Sequence, residues 1–126
     1  MLFKNETFKI IGAAIEVHKQ LGGGFLESVY QEALTIELEE KDIPFEKEVK
    51  LPIVYKGKSL MKYFVADFVC YGRIIVELKS SSFIIDDHYA QVINYLKASN
   101  LQLALLLNFG PKSLEFKRII LEEKTN

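Results

Sequence analysis

The spacing of apolar residues predicts two helices in the first third of the chain. The first, residues 6–20, begins after Asn5 as an N-cap and ends at Gly22-Gly23-Gly24. Its expected apolar stripe consists of Phe8, Ile11, Ala14 and Ile15. The second helix, residues 25–41, offers for burial Leu26, Val29, Ala33, Ile36 and Leu38, beside a neighbouring stripe of Glu27, Tyr30, Gln31 and Leu34. The glycines favour a tight helix-to-helix turn over a phosphate-binding loop, because no strand precedes them and no Lys-Ser/Thr pair follows.

The middle of the chain changes to strand patterns. Three strands are predicted at residues 45–55, 60–71 and 73–79, with a turn at Lys56-Gly57-Lys58 between the first two. The polar flank of residues 46–50 is typical of an edge strand. These three consecutive strands are expected to pair antiparallel.

A third helix and one or two further strands complete the pattern. The helix is predicted at residues 87–99 with Asp86 as its cap, and it precedes a continuous apolar strand at residues 101–108. A last edge strand is expected at residues 114–121, and residues 122–126 are expected to be frayed. The strand–helix–strand crossover makes the sheet mixed, with helices on its faces, in the α/β (α+β) class.

The segment from Asp67 to Lys79 carries charges within otherwise apolar strands. Phe64, Ala66, Phe68 and Cys70 are expected on one face of the first strand, and Ile74, Val76 and Leu78 on the same face of the second. This register requires an odd-length turn, for which Tyr71-Gly72-Arg73 serves, with the glycine left-handed. Asp67 then lies opposite Glu77, with Lys79 on the same face. Two facing carboxylates raise a pKa or attract a cation; the alternative is a salt-bridged patch on a solvated face.

Composition narrows the class of protein. The 126 residues are expected to form one domain over residues 1–126, with 49% hydrophobic and 26% charged residues, as in ordinary globular proteins. The net charge of −1 argues against tight nonspecific DNA binding but leaves a local basic groove open. Cys70 is the single cysteine, which excludes an intrachain disulfide and disfavours a cysteine-based zinc site. No signal peptide or membrane span is recognised, so the expected location is cytoplasmic, without a membrane partner.

Several residues are weak candidates when each is taken alone. Glu27 lies in the first turn of its helix, where a carboxylate also favours the helix dipole. His88, Gln91 and Tyr95 follow a polar stripe at i, i+3 and i+7 of the third predicted helix. His88 suits a surface or capping role, whereas Gln91 has apolar neighbours in mid-helix.

Taken together, these residues resemble a known family. The run Gly24-Phe25-Leu26-Glu27-Ser28-Val29-Tyr30, followed by Asp67, Glu77-Leu78-Lys79, Gln91, Asn94-Tyr95-Leu96 and Leu107-Asn108-Phe109-Gly110, resembles the GxxExxY protein family of the PD-(D/E)XK nuclease superfamily. The resemblance covers about residues 10–120. It implies a restriction-endonuclease-like αβββαβ core, with a mixed central sheet flanked by helices. The catalytic residues that it implies are Glu27, Asp67, Glu77, Lys79 and Gln91.

The resemblance implies metal-dependent hydrolysis of phosphodiester bonds in a nucleic acid, DNA or RNA. Asp67, Glu77, the backbone carbonyl of Leu78 and Glu27 would hold Mg²⁺ or Mn²⁺. The ion would lower the pKa of a water and stabilise the transition state. Lys79 would orient the water or neutralise charge, and Gln91 would position water or phosphate. Tyr30, His88 and Tyr95 are further candidates for supporting or substrate-contacting roles.

Two other interpretations stay open. The first is a catalytically silent nucleic-acid- or protein-binding module that keeps the nuclease fold, which the small size and near-neutral charge favour. The second is a structural domain, which requires Asp67 and Glu77 to be well separated or fully exposed. A homodimer is one arrangement by which so small a core wraps a substrate.

Overall fold

The computed structural model describes residues 1–122, so the tail predicted to be frayed lies outside the described residues except for Glu122. The helices and strands follow one another in the expected order. Their bounds are α1 Lys4–Leu21, α2 Glu27–Glu40, β1 Phe45–Tyr55, β2 Lys58–Cys70, β3 Ile74–Lys79, α3 Asp86–Ser99, β4 Leu103–Asn108 and β5 Glu115–Ile120.

The strands form one five-stranded mixed sheet in the order β1-β2-β3-β4-β5. Only β3 and β4 are parallel, because α3 crosses between them; the other neighbours are antiparallel. One apolar layer packs α1 and α2 on the sheet, and a second packs α3 on the opposite face. The predicted mixed sheet with flanking helices is therefore confirmed, as are the edge positions of β1 and β5.

The predicted buried faces of the first two helices are wrong in part, because Ala14 and Leu38 are buried as predicted and other members of each stripe are not. In α1 the buried residues are Thr7, Ile10, Ala13, Ala14, Val17 and His18, while Phe8 is 78% exposed and Ile15 is also exposed. In α2 the buried residues are Tyr30, Leu34 and Leu38, whereas Leu26 and Ile36 face solvent. Neighbouring stripes on a helix differ by one residue, or about 100°, and the packing of the two helices on the sheet selects between them.

Both predicted N-caps are also wrong. Asn5 lies inside α1, and Phe3 precedes the helix with a left-handed φ of 51°. Asp86 is the first residue of α3, and Ile85 occupies the cap. The Ile85 N–H donates to Nδ1 of His88 at 3.2 Å, so a side chain of the first turn satisfies the N–H of the cap residue.

The hairpin of β1 and β2 passes from one face of the layered structure to the other. Phe68 packs against α1 and α2, whereas Phe64 and Ala66 pack on the α3 side, where the Phe64 ring lies 5.1 Å from that of Tyr95. The prediction that these residues share one face with Cys70 is therefore wrong for Phe64 and Ala66, which precede Asp67. The change coincides with a left-handed residue on β1, Glu48 at φ 52°, which breaks the regular alternation.

The predicted register between β2 and β3 is confirmed. Phe68 pairs with Val76, Val69 with Ile75 and Cys70 with Ile74, around the three-residue loop Tyr71-Gly72-Arg73. The loop differs in one detail, because both Tyr71 and Gly72 have left-handed φ values, of 57° and 65°. The Arg73 N–H donates to the Cys70 carbonyl at 3.0 Å and closes the turn.

Candidate active site

Asp67 and Glu77 lie where β2 and β3 separate. The ladder between these strands ends at the pair Phe68–Val76, although the register would next bring Asp67 opposite Glu77. Side chains replace the missing ladder bonds. The Asp67 N–H donates to Glu77 Oε1 at 2.9 Å, and the Leu78 N–H donates to Asp67 Oδ2 at 2.8 Å.

We use "fork" for the point at Asp67 and Glu77 where β2 and β3 separate. The two reciprocal bonds fix both carboxylates there. Each bond uses one oxygen, so Asp67 Oδ1 and Glu77 Oε2 are left outside them. The Leu78 N–H points from β3 toward β2, and in a strand the carbonyl of the same residue points to the same side. The fork therefore collects carboxylate and carbonyl oxygens from two strands.

The carboxylate pair lies in a poorly solvated place. Glu77 is only 5% exposed, and burial followed by the charge of Asp67 raises its pKa to about 8. Burial also raises the pKa of Asp67, with a smaller contribution from the charge of Glu27. Burial and mutual repulsion therefore favour a state in which the pair holds one proton.

Lys79 stands beside the pair without forming an ion pair. Its positive charge lowers the pKa of both Asp67 and Glu77, yet within residues 1–122 the only ion pair closer than 4.0 Å is Lys41–Glu37. The alternative of a salt-bridged, solvated patch is therefore wrong. The requirement of the structural interpretation, separated or exposed carboxylates, is not met either.

The helix α3 covers the fork from one side. The charges of Glu77 and Asp67 act on Tyr95 and, after burial, raise its pKa to about 12, so its hydroxyl stays protonated. Gln91 lies one turn before Tyr95, and its Oε1 is buried without a hydrogen-bond partner. Such an unpaired acceptor costs free energy, typically about 1–3 kcal/mol, and it therefore calls for a ligand or water.

Glu27 approaches from the opposite helix layer. It is the first residue of α2 and is exposed, and its charge contributes to the raised pKa of Asp67. Glu27 does not complete a preformed cluster, because no group of three His, Cys, Asp or Glu residues suited to a metal occurs in the described part of the chain.

Tyr30 supports the turn before Glu27. It is fully buried and stacks on Phe109 with ring centroids 4.5 Å apart. Its hydroxyl donates to the Gly22 carbonyl at 2.6 Å and accepts the Phe25 N–H at 3.1 Å. These contacts hold the glycine turn in place, so the predicted tight turn is confirmed and Tyr30 acts on the start of α2.

The third supporting candidate, His88, lies at the beginning of α3. It is half-buried, and its Nδ1 accepts the Ile85 N–H, as described above. The described contacts of His88 therefore fix the start of the helix that carries Gln91 and Tyr95.

Sequence reasoning did not identify Asn108 as a positioning residue. Asn108 is fully buried at the end of β4, and its Oδ1 accepts the N–H groups of Ser81 and Gly110. Its Nδ2 donates to the Ser81 carbonyl and to Glu115, each at 3.0 Å. Asn108 thereby ties the loop after Lys79 to the end of β4. A polar residue directly after five apolar ones was the available signal.

The donor set of the fork consists of oxygen atoms. Magnesium prefers oxygen ligands, keeps several waters and needs only one or two carboxylates from a protein. The fork offers two carboxylates and one carbonyl, and Gln91 on α3 carries an unpaired Oε1. The residues of the fork therefore fit Mg²⁺ or Mn²⁺.

A mixed sheet with one helical crossover, carrying its acidic residues on two splayed strands, defines the restriction-endonuclease-like fold class. A model of the PD-(D/E)XK nuclease superfamily matches residues 4–119. The chain belongs to this superfamily. The narrower resemblance to the GxxExxY family stays a prediction.

One solved structure shows the fold independently. The crystal structure of SSO0001 is similar to this chain with a TM-score of 0.59 and 20% sequence identity. The match covers 74% of this chain and 48% of that one, so the chain spans about half the length of that protein. At this identity the likeness concerns the fold alone. No curated protein matches the chain.

Within residues 1–122, no helix combines the length and the apolar character that crossing a membrane requires.

Proposed function

We propose that the chain is a divalent-metal-dependent nuclease that hydrolyses phosphodiester bonds of a nucleic acid. The observation that carries the proposal is the fork itself, where Asp67 and Glu77 share a poorly solvated space with their second oxygens outside the backbone bonds. Membership in the PD-(D/E)XK nuclease superfamily supports the same reaction class.

Asp67, Glu77 and the Leu78 carbonyl would hold Mg²⁺ or Mn²⁺, with Glu27 contributing through water. When bound, the ion supplies positive charge that activates water and stabilises the transition state. Lys79 orients the attacking water or neutralises charge that develops on the phosphate. Gln91 uses its unpaired Oε1 to accept a hydrogen bond from that water.

The carboxylate pair couples metal binding to a proton. Because burial and Asp67 raise the pKa of Glu77 to about 8, the pair holds one proton near neutral pH. A divalent cation competes with that proton, so the affinity for Mg²⁺ should increase as the pH rises toward about 8. Tyr95 remains protonated over this range and can donate a hydrogen bond within the fork.

A second candidate function is a catalytically silent module that binds nucleic acid or protein. The observation that favours it is the reciprocal bonding of Asp67 and Glu77, which satisfies two orphan N–H groups without any metal. In that case the pair would serve only to end the ladder between β2 and β3.

The test combines calorimetry with cleavage assays. Wild-type protein, Glu77→Ala and the exposed control Glu46→Ala are titrated with Mg²⁺ and with Mn²⁺. Single-stranded, duplex and branched DNA and RNA are then tested as substrates. We expect wild type and Glu46→Ala to bind metal and cleave, and Glu77→Ala to lose cleavage by at least about a hundredfold, since it removes a metal ligand.

The outcomes separate the two functions. Metal binding that depends on Glu77, without cleavage of any substrate, would favour the silent module. Absence of metal binding by the wild type, even with nucleic acid present, would overturn the nuclease proposal. Circular dichroism of each variant establishes that it is folded.

A further inference from the structure

The hairpin of β1 and β2 carries a group of lysines that has no role in the proposed active site. We use "basic arm" for residues 49–66, which form the outer parts of β1 and β2 and the turn between them. The basic arm contains four lysines, Lys50, Lys56, Lys58 and Lys62, and no acidic residue, in a chain whose net charge is −1. Positive charge is thus concentrated on one hairpin, which is the electrostatic pattern of a polyanion-binding surface.

The basic arm extends beyond the rest of the sheet. Strand β3 pairs with β2 only at residues 68–70, so β2 residues 58–66 have no partner in β3. Leu51 and Phe64 at the root of the arm pack on the α3 side. The outer part is paired only within the hairpin, as in the pairs Val54–Ser59 and Tyr55–Lys58.

Large exposed side chains lie among the lysines on both faces of this hairpin. Met61 is 97% exposed, and Tyr55 and Tyr63 are also exposed. Lys50 lies 4.8 Å from the centre of the Tyr63 ring, and Lys56 lies 5.5 Å from that of Tyr55. Exposed aromatic rings beside cations are the combination that binds bases and phosphates of unpaired nucleic-acid strands.

The basic arm begins at the fork. Asp67 directly follows the arm on β2, so the arm and the carboxylate pair lie on one continuous strand. At roughly 3.3 Å per residue, Tyr63 lies about 13 Å and Lys58 about 30 Å from Asp67 along that strand. Lys97 of α3 adds another cation to the cleft beside Ile53 and Phe64.

We propose that the basic arm binds a single-stranded segment of nucleic acid and leads it to the fork. The lysines contact phosphates, and the exposed rings stack on unpaired bases. The proposal adds a substrate class to the proposed function. It rests on that function for the statement that the bound nucleic acid leads to the fork. It does not require the chain to cleave what it binds.

A second copy of this chain is a less suitable occupant. A two-fold interface formed by the basic arm would bring the four lysines of one copy toward the same four of the other, with no acidic residue between them. An anionic membrane surface would satisfy the lysines, but it would not select for unpaired bases. Experiments can therefore distinguish a second copy and a membrane surface from a single-stranded nucleic acid.

The first test removes the lysines. Binding of fluorescent single-stranded and duplex DNA and RNA of mixed sequence is measured without metal, in the full chain carrying Glu77→Gln. The arm variant adds Lys50→Gln, Lys58→Gln and Lys62→Gln, and the control adds Lys4→Gln, Lys9→Gln and Lys19→Gln on exposed positions of α1. We expect the arm variant to bind single strands at least about tenfold more weakly and to lower the salt slope by about 2.

The second test removes an aromatic ring. Tyr63→Ser should weaken binding of single strands about fivefold or more, whereas Tyr63→Phe should retain it, because stacking needs the ring and not the hydroxyl. Binding of duplexes should change less. Thermal unfolding of each variant establishes that the hairpin is folded.

The results distinguish this proposal from the proposed function. Arm-dependent binding without cleavage by the wild type would retain the arm and reject the nuclease. Cleavage by the wild type with unchanged binding in the arm variant would reject the arm alone. Three other results would overturn the proposal. The two triple variants could have equal effects, or the protein could bind phosphatidylcholine–phosphatidylserine vesicles but not nucleic acid. The third result is a dimer that the arm variant dissociates.

Discussion

The two flanks of β3 differ in pairing and in chemistry. Toward β4 the strand is paired along its whole length, from Ile74–Leu103 to Lys79–Asn108, and β4 is buried throughout. Toward β2 the ladder contains three pairs and then opens at Asp67 and Glu77. One flank thus provides packing, whereas the other gives up backbone pairing to hold two carboxylates close together.

This difference explains how the fold accommodates an energetically costly carboxylate pair next to a fully paired strand. Burial of Glu77 next to Asp67 raises its pKa and disfavours the ionised pair. The fully paired β3–β4 flank supplies the apolar burial that keeps the strands in place. Stability and the candidate site are therefore separated on opposite edges of one six-residue strand.

The largest effect is expected on the packed flank. Leu105→Ala removes a fully buried side chain from β4 and should lower the free energy of unfolding by about 3 kcal/mol, or the Tm by roughly 10 °C. Urea denaturation measures the first quantity and calorimetry the second. Metal affinity of the folded variant should stay unchanged, and a large loss of it would contradict the separation of the two flanks.

An intermediate effect is expected on the open flank, with opposite sign. The folded pKa of Glu77, about 8, lies above its ordinary value of 4.5, so its contribution to stability is present below pH 4.5 and is lost as the pH rises through 8. Glu77→Gln cannot ionise and should be more stable than wild type by about 2 kcal/mol at pH 9. The two proteins should be equally stable near pH 4.

Denaturation curves across this pH range check the prediction, with Glu46→Gln as a control at an exposed position of β1. Saturating Mg²⁺ should reduce the difference at pH 9, since a bound cation stabilises the wild type alone. A Glu77→Gln protein that is less stable than wild type at pH 9 would show that the carboxylate serves the fold rather than a cation.

The smallest effect is expected at Gln91. Because its Oε1 is buried without a partner, Gln91→Leu should be as stable as wild type or more stable by up to about 1 kcal/mol. Its rate of cleavage should nevertheless fall about tenfold, since the acceptor for a water is lost. Single-turnover kinetics and denaturation on the same preparation measure both. A stability loss above about 2 kcal/mol would indicate an internal partner for Gln91.

Most of the sheet could be predicted from the chain because strand patterns are local. Side-chain alternation indicates the face of each residue. Matching the apolar faces of β2 and β3 then requires an odd-length loop and predicts the pairing Phe68–Val76. The continuous apolar run of β4 likewise indicated burial on both faces. Glu27 and Gln91 were convincing only as part of the family pattern, and their roles stay predictions.

Other features could not be predicted because they depend on long-range packing. Tyr30 rather than Leu26 faces the core, although the stripe that contains Leu26 is the more apolar, because packing on the sheet decides which stripe is buried. The crossing of the β1–β2 hairpin between faces coincides with a left-handed Glu48, a conformation that no local pattern required. Asn108 acquired its role because three residues, from two loops and β5, form four hydrogen bonds with it.

The sequence by itself determined that two carboxylates face each other on adjacent strands, because side-chain alternation and turn length leave a single register. It also determined the four lysines of the basic arm. Only the tertiary structure decided that the ladder opens at that pair and that Asp67 and Glu77 bond each other's backbone. Burial and desolvation arise only once both helix layers cover the sheet, so the raised pKa of Glu77 belongs to the folded protein alone.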